Sequence, residues 1–168
     1  MISADYVRAM AAYNRWQNSN LYGAAKRVSD SERKIQRGAY FGSIHSTLNH
    51  LLWGDQIWMS RFTSSEPPPS TLISDSTEMY PDWDDLVTAR IARDDAITLW
   101  AANLDLDWLK SDLTWTSAAL NRPFTQPVWI LVTHMFNHQT HHRGQIHAML
   151  TAAGTKPDDD TDLPFMPA

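Results

Sequence analysis

Four segments of the chain carry apolar residues at the three- and four-residue spacing of amphipathic helices. They run from Ala4 to about Val28, from Ser43 to Phe62, from Pro81 to about Ala102, and from Pro127 to just before Gly154. Each begins at or next to a serine or a proline, residues that favour helix starts. The pattern predicts an all-α fold, a four-helix bundle that forms a single domain over residues 1–168.

The intervening segments have the composition of loops. Residues 65–81 contain four of the nine prolines and predict a long loop between the second and third helices. Alternating apolar residues around Trp115 and Phe124 predict a small β-hairpin before the fourth helix. Residues 155–168 hold three prolines and predict an extended tail, in which the apolar stretch 163–166 is a candidate for docking on the body.

Polar residues interrupt two of the apolar faces. Asn14, Gln17 and Asn18 stand on the stripe of the first helix, where a solvated turn is favoured over amides that face a polar cavity near a metal. Asp55 stands in the stripe of the second helix. It is either an acid–base group or half of a structural ion pair, for which Arg143 is a candidate partner.

The apolar faces of the second and third helices predict what each helix buries. The second helix has a further apolar face with His50, Trp53 and Ile57, so we expect burial on both sides, by its own bundle and by a second subunit. The stripe of the third helix predicts a buried set with Arg93 lying along it. That set is Leu86, Ala89, Ala92, Ala96 and Trp100.

The fourth helix carries a ladder of histidines. His134, His138 and His142 follow one another at four-residue spacing, so that each lies about 40° around the helix from the last. The ladder lies in the apolar stripe, whereas His141 projects at its edge and His147 on the opposite face. Because a buried imidazole needs a partner, we predict that His138 and His142 bind a metal, with His134 as a third ligand or a residue behind the ligands.

The second helix offers two further histidines. His45 and His50 lie about 140° apart around the helix and cannot share one site. His50 is the preferred candidate, because Gly54, one turn later, would leave open space beside it for a bound group. The periodicity does not decide which face of this helix meets the histidine ladder.

Composition narrows the chemistry. The 168 residues include no cysteine, which excludes disulfides, thiolate metal sites and a cysteine nucleophile. A net charge of −5 and a pI of about 5.7 argue against a nucleic-acid partner. The sequence has neither the pattern of a signal peptide nor an apolar run of membrane length, so we expect a soluble cytoplasmic protein without a membrane partner.

Several metal chemistries lack their residues. None of the three glutamates is followed three positions later by histidine, which excludes a ferritin-like di-iron site. Gln139, after His138, stands where a zinc peptidase of the His-Glu-x-x-His type has its glutamate base. What remains is a three-histidine site with a position open to water or substrate. Zinc is the metal most typical of such a site, although nickel or iron(II) can use the same ligands.

Three stretches of the chain, in order, resemble the DinB/YfiT-like superfamily of metal-binding four-helix bundles. They are SIHSTLNHLLWGDQIWMSRF in the second helix, NHQTHHRGQI in the fourth and TDLPF near the end. Asn14, within YNRWQNSNLYGAA, also resembles the family's first helix, so the resemblance covers nearly the whole chain. The family's ligands are one histidine on the second helix and two, four residues apart, on the fourth. The resemblance therefore implies that His50, His138 and His142 hold a divalent transition metal.

The resemblance also implies a range of functions. Family members of known activity include thiol-dependent transferases and isomerases, and homodimers are common. We therefore expect a homodimeric metal-dependent enzyme, a thiol-dependent transferase or a hydrolase, that takes a small-molecule thiol. Two alternatives stay open. One is a non-catalytic, damage-inducible stress-response protein that binds metal, and the other is a structural dimer whose histidines are only polar core residues.

Overall fold

The computed structural model describes residues 1–117 and 120–167, and it is mostly helical with one small antiparallel sheet. The helices are α1 (Ala4–Lys26), α2 (Asp30–Lys34), α3 (Ile44–Thr63), α4 (Trp83–Ala102), α5 (Leu106–Leu109) and α6 (Val128–Ala152), and the strands are β1 (Asp112–Ser117) and β2 (Arg122–Pro127). Single 3₁₀ turns occupy Ile73–Asp75 and Leu163–Phe165. The four long helices α1, α3, α4 and α6 agree with the predicted segments to within two residues.

Side-chain caps fix where three of the long helices begin. Ser3, Ser43 and Asp82 have extended backbone, and each accepts a hydrogen bond from a backbone N–H two or three residues later. A cap of this type stabilises a helix by about 1 kcal/mol. Local sequence thus determines these three boundaries.

The long helices pack in pairs around two apolar clusters. Helix α1 contacts α4 and α6, and α3 contacts the same two helices. One cluster includes Val7 and Phe136 and lies against the hairpin, while the other includes Leu21 and Leu150. None of the described helices is both long and apolar enough to cross a membrane.

The hairpin predicted before the fourth helix is confirmed. Strands β1 and β2 pair antiparallel, with Trp115 opposite Phe124 and their rings stacked at 5.8 Å between centroids. Because β2 runs directly into α6, the hairpin is held beside that helix. Trp115 thereby reaches Trp58 of α3, with 5.7 Å between ring centroids.

The buried face of α4 differs from the predicted one. Ala92 and Ala96 are exposed, and the fully buried positions are Leu86, Arg90, Asp94, Ile97 and Ala101. Arg90 contacts Asp55 of α3 at 2.7 Å and Asp94 at 2.8 Å. Hydrophobic periodicity missed this face because two of its residues, Arg90 and Asp94, are charged. It also gives no sign of Asp55, the partner of Arg90 on another helix.

The polar residues of α1 are buried, so the interpretation of a solvated turn is wrong. Asn14 accepts a hydrogen bond from Arg143 of α6, and Asn18 donates one to Asp94 of α4 at 2.9 Å. Gln17 donates to the backbone of the C-terminal tail. The interruption of the apolar stripe therefore marks where α1 is joined to its neighbours by hydrogen bonds.

The tail after α6 lies along α1 and is held by polar contacts. The Tyr13 hydroxyl donates to the carbonyl of Thr161 at 2.7 Å, and the Gln17 amide donates to the carbonyl of Asp160 at 2.9 Å. Leu163 and Phe165 remain 44% and 65% exposed. The tail thus docks through polar groups of α1, and within its apolar stretch Met166 is half-buried beside Ala12 and Trp16.

Candidate metal centre

The structure brings one histidine of α3 and two of α6 together. One ring nitrogen each of His50, His138 and His142 lies within 4.8 Å of the other two, and we refer to these residues as the histidine cluster. The Nε2 atoms of His50 and His138 are 3.1 Å apart. Two nitrogens bound to one tetrahedral zinc lie about 3.4 Å apart, which is close to this distance. The arrangement is compatible with metal binding.

Hydrogen bonds at the outer nitrogens decide which ring nitrogen faces the cluster. His50 Nδ1 is 2.9 Å from the Ser76 hydroxyl, which donates its own hydrogen to the carbonyl of Ile73 at 2.6 Å. The serine oxygen therefore accepts from Nδ1–H, and a lone pair is left on His50 Nε2. His142 Nδ1 donates in the same way to the side-chain oxygen of Gln145 at 2.8 Å. Such hydrogen bonds orient metal-binding histidines.

The cluster is neutral at physiological pH. Burial, with a smaller contribution from His138 and His142, lowers the pKa of His50 to about 3. Burial also lowers the pKa of His138 to about 3, aided by the nearby histidines, and it lowers the pKa of His142. Metals bind neutral imidazole. Since the lone pair of His50 Nε2 faces His138 Nε2, a hydrogen or a cation must lie between them, and the donor set fits a divalent ion.

Gly54 allows the His138 ring to approach α3. A Cβ at this position would lie 3.0 Å from Cε1 and 3.3 Å from Nδ1 of His138. The expectation that Gly54 leaves open space for a bound group is therefore met in part: Gly54 lines the cavity described below, but some of that space holds a ring of the cluster itself. A side chain at position 54 would push His138 away from His50.

Two aromatic rings, one from a loop and one from α3, cover the cluster. Phe41, between α2 and α3, stacks on His50 with 3.8 Å between ring centroids, and Trp53 stacks on His50 at 5.5 Å. The Trp53 indole N–H donates to the carbonyl of Ser70 at 2.8 Å. The second apolar face of α3 is thus covered by the chain's own loop. Sequence reasoning missed Phe41 and Ser76, because residues in loops have no periodicity that shows where they point.

The cluster opens into a cavity of about 560 Å³ between α3, α6, the hairpin and the loop before α4. Its walls are largely aromatic, with Tyr40, Phe41, Trp53, Trp58 and Trp115. In the described part of the chain, no aspartate or glutamate lines this cavity, and Arg61 is its one charged side chain. We refer to this space as the histidine cavity.

Comparison with known proteins places the chain in a family. The sequence model that describes the DinB family matches residues 1–167 of the chain. The chain belongs to the DinB family. A crystal structure of a DinB-like protein from Bacillus cereus ATCC 10987 is similar to this DinB-family chain with a TM-score of 0.51 and 15% sequence identity, over 86% of this chain and 90% of that one. At that identity the similarity supports the fold alone. No curated protein matches the sequence significantly.

The other histidines of this DinB-family protein lie outside the cluster. His134 and His141 line the histidine cavity, and His134 contacts the Trp58 ring at 5.2 Å between centroids. His45 is buried elsewhere, with Nε2 2.9 Å from the carbonyl of Tyr80. The ladder predicted on α6 thus divides into two cluster residues and one residue of the cavity wall.

Asp55 lies on the other side of α3 from the cavity. Its carboxylate accepts hydrogen bonds from Arg90 and from the Gln139 amide, and it is 1% exposed. The predicted pairing with Arg143 is wrong, because Arg143 donates to Asn14 instead. Neither Asp55 nor the polar residues of α1 are among the described residues that line the histidine cavity. The interpretation that the α1 amides face a polar cavity near the metal is therefore also wrong, and Asp55 belongs to a structural ion pair.

Proposed function

We propose that this DinB-family protein is a metal-dependent enzyme of the thiol-dependent transferase type, with a divalent ion held by His50, His138 and His142. Zinc is the first candidate, and nickel and iron(II) are possible in the same ligand set. One observation carries the proposal. Two buried neutral imidazoles hydrogen-bond through their outer nitrogens and converge with a third at the wall of an open cavity.

A divalent ion with open coordination positions would lower the pKa of a coordinated thiol or water and so supply a nucleophile near neutral pH. The chain's own residues contribute the surroundings. Phe41 and Trp53 exclude water from two sides of His50, and His134 faces the same cavity. Burial, with Arg61, lowers the pKa of His134, so that it is a neutral group able to accept a proton.

The absence of acids from the described cavity wall favours thiol transfer over hydrolysis. A hydrolase of the zinc peptidase type uses a carboxylate beside the ion as the base that takes a proton from water. Here Gln139 stands in that position of the sequence, and its side chain is buried against Asp55. A thiol loses its proton more readily than water, so it depends less on such a base.

A second candidate is a non-catalytic, damage-inducible protein in which the metal serves the fold. It is favoured by the placement of the cluster, because an ion bound there would join α3 to α6. We infer that α1, α3, α4 and α6 form the predicted four-helix bundle, since α1 and α3 each contact both α4 and α6. A metal bridge between two of these helices would stabilise the bundle.

Metal analysis and activity measurement separate the two candidates. Protein purified without a nickel column should contain close to one equivalent of metal. The metal-loaded protein is then assayed with a panel of small thiols and electrophiles, using His142→Ala as the test variant and His147→Ala, outside the cavity wall, as the matched control. The enzyme proposal predicts thiol consumption that is lost with His142→Ala and retained with His147→Ala. Stoichiometric metal that raises the melting temperature, without any activity that depends on it, would support the second candidate.

The homodimer expected from the resemblance stays a prediction. Sedimentation equilibrium of the metal-loaded protein measures it directly, because the mass of one chain is 19.2 kDa. A mass near twice that value supports a dimer, and the monomer mass contradicts it.

A further inference from the structure

Arg61 lies in the wall of the histidine cavity, in the last turn of α3. Its side chain is half-buried, and its guanidinium carbon is 4.6 Å from the ring centroid of Trp58 and 5.7 Å from that of Trp115. Contacts between a guanidinium and aromatic rings hold the cation in place without neutralising its charge. Arg61 is thus positioned by α3 and by the hairpin together.

The guanidinium of Arg61 has no carboxylate within 4.0 Å among residues 1–117 and 120–167. The buried Arg90, by contrast, contacts Asp55 and Asp94. Arg93 and Arg143 also have no carboxylate within 4.0 Å in the described chain, but neither of them lines the histidine cavity. Burial lowers the pKa of Arg61, although a guanidinium remains protonated at physiological pH. A half-buried cation without a counterion favours binding of an anion from solution.

The charge of the cavity is opposite to that of the protein. The chain has 19 acidic residues and a net charge of −5, yet none of the acids lies among the described residues of the cavity wall. Neutral histidines would leave a bound divalent ion its full charge. Arg61 and such an ion would together make the cavity positive, and a positive cleft with apolar walls concentrates anions.

The spacing of Arg61 and the cluster sets the shape of the occupant. Arg61 follows His50 by eleven residues on α3, which separates their Cα atoms by about 16 Å along the helix axis. Gly54, Ile57 and Trp58 line the cavity between them. An occupant that reaches both ends must therefore be elongated and apolar along its middle.

We propose that the histidine cavity binds an elongated organic anion whose carboxylate is held by Arg61, whose apolar body lies along Ile57 and Trp58, and whose reactive end reaches the histidine cluster. The reactive end rests on the proposed function, whereas the carboxylate subsite does not. A carboxylate is the fitting anion, because a single guanidinium neutralises its one charge and binds both of its oxygens. Arg61 is then a specificity-determining residue.

The carboxylate subsite is tested first on the metal-free full-length protein, because a carboxylate could otherwise bind the ion itself. Octanoate and octanol are titrated while tryptophan fluorescence is followed, since Trp58 and Trp115 flank Arg61. Octanoate should bind about tenfold or more tightly than octanol. Arg61→Gln should bring the ratio of the two affinities close to one, and Arg61→Lys should retain part of it.

Arg122→Gln is the matched control variant. Arg122 also stacks on an aromatic ring, 4.2 Å from the Phe124 centroid, but it is exposed and lies on the hairpin outside the cavity wall. It should leave the preference for octanoate unchanged. Equal binding of octanoate and octanol by the wild type, or a preference that survives Arg61→Gln in a folded variant, would overturn the proposal.

A second arm separates this inference from the proposed function. The Co²⁺-loaded protein is titrated with mercaptopropionate, mercaptohexanoate and mercaptooctanoate. It is also titrated with the mercaptoalcohols of the same chain lengths, in which a hydroxyl replaces the carboxylate. The sulfur-to-cobalt absorption band is recorded throughout. The longer carboxylates should bind more tightly than their alcohols in the wild type but not in Arg61→Gln. Failure of every thiol to produce the band contradicts the thiol-binding metal centre. A band with equal affinities for acids and alcohols contradicts the role of Arg61.

Discussion

The two faces of α3 bury polar residues and satisfy them in different ways. On one face, Asp55 accepts hydrogen bonds from Arg90 and Gln139, and Arg90 also contacts Asp94. On the other face, His50 meets two further imidazoles, and the nitrogens that face one another are left to share a hydrogen or a cation. The first face is completed by the protein's own charges, and we refer to it as the charge network.

The difference distinguishes buried polar groups that are paired within the protein from buried polar groups at a candidate binding site. The charge network does not line the histidine cavity in the described chain, and Asp55 and Asp94 share the Arg90 cation across α3 and α4. The histidine cluster lines that cavity. The outer nitrogens of His50 and His142 hydrogen-bond to other side chains of the protein, whereas the inner Nε2 atoms of His50 and His138 face each other at 3.1 Å. A buried polar group that has no partner within the protein is a candidate for binding a ligand from solution.

The largest expected effect comes from opening the charge network. Arg90→Leu would leave Asp55 and Asp94 buried without their shared cation, so we expect a loss of about 3–5 kcal/mol in the free energy of unfolding. Urea denaturation at neutral pH measures this loss. Arg15→Ala is the control, because the exposed pair of Arg15 with Asp95 should contribute only about 0–1 kcal/mol. Similar losses for the two variants would show that the network is not a structural ion pair.

Removal of one cluster residue should act on metal binding instead of folding. His138→Ala should weaken Zn²⁺ or Co²⁺ binding by about a thousandfold or more, because one of the three proposed ligands is lost. It should change the stability of the metal-free protein by only about 1 kcal/mol. Isothermal titration and urea denaturation measure the two effects. His141→Ala, in the same cavity wall, should leave the affinity unchanged. A stability loss in the metal-free protein comparable to that of Arg90→Leu would mean that the cluster is a polar core.

A smaller effect is expected from the hydroxyl behind His50. Ser76→Ala removes the acceptor of His50 Nδ1–H, and loss of such a partner weakens metal binding by about tenfold to a hundredfold. Competition with a chromophoric chelator gives the affinity. Ser74→Ala, on the exposed side of the same turn, should have no effect. Equal affinities of Ser76→Ala and wild type would contradict the tautomer assigned to His50.

The smallest effect concerns the pH dependence of the charge network. Burial raises the pKa of Asp94 from 3.8 to about 6, against the opposing attraction of Arg90. A carboxyl whose pKa is raised by folding stabilises the protein most below its unfolded pKa, and this contribution is lost as the pH rises through about 6. The stability advantage of wild type over Asp94→Asn should therefore fall by about 1 kcal/mol between about pH 5 and pH 7 in urea denaturation. An advantage that grows with pH would show that attraction to Arg90 outweighs burial.

Local signals in the sequence were sufficient for the helices and the hairpin. Apolar spacing and capping residues such as Ser3, Ser43 and Asp82 act within a few residues, so they can be read without tertiary structure. The four-residue spacing of His138 and His142 is local in the same sense. Any α-helix through that stretch places the two rings on one face.

Contacts between distant segments could be found only in the folded chain. The prediction of the buried face of α4 was wrong because Arg90 is buried against Asp55. Asp55 lies 35 residues earlier in the chain, so the periodicity of α4 carries no sign of it. Phe41 and Ser76 were missed for a related reason. Both contact His50 from loops, and loop residues have no periodic spacing from which their contacts could be predicted.

The amino-acid sequence by itself determined four amphipathic helices, a hairpin, a chain without thiols and a pair of histidines on one helical face. Periodicity did not single out His50, which was preferred because of Gly54 and then chosen by resemblance to a family. The tertiary structure alone decided that Asp55 pairs with Arg90 and that His50 meets the α6 pair beneath Phe41. It also decided that Arg61, in the wall of the same cavity, has no carboxylate partner among residues 1–117 and 120–167. The physical reason is that helix formation depends on neighbours along the chain, whereas the partner of a buried charge or ring is set by the packing of whole helices.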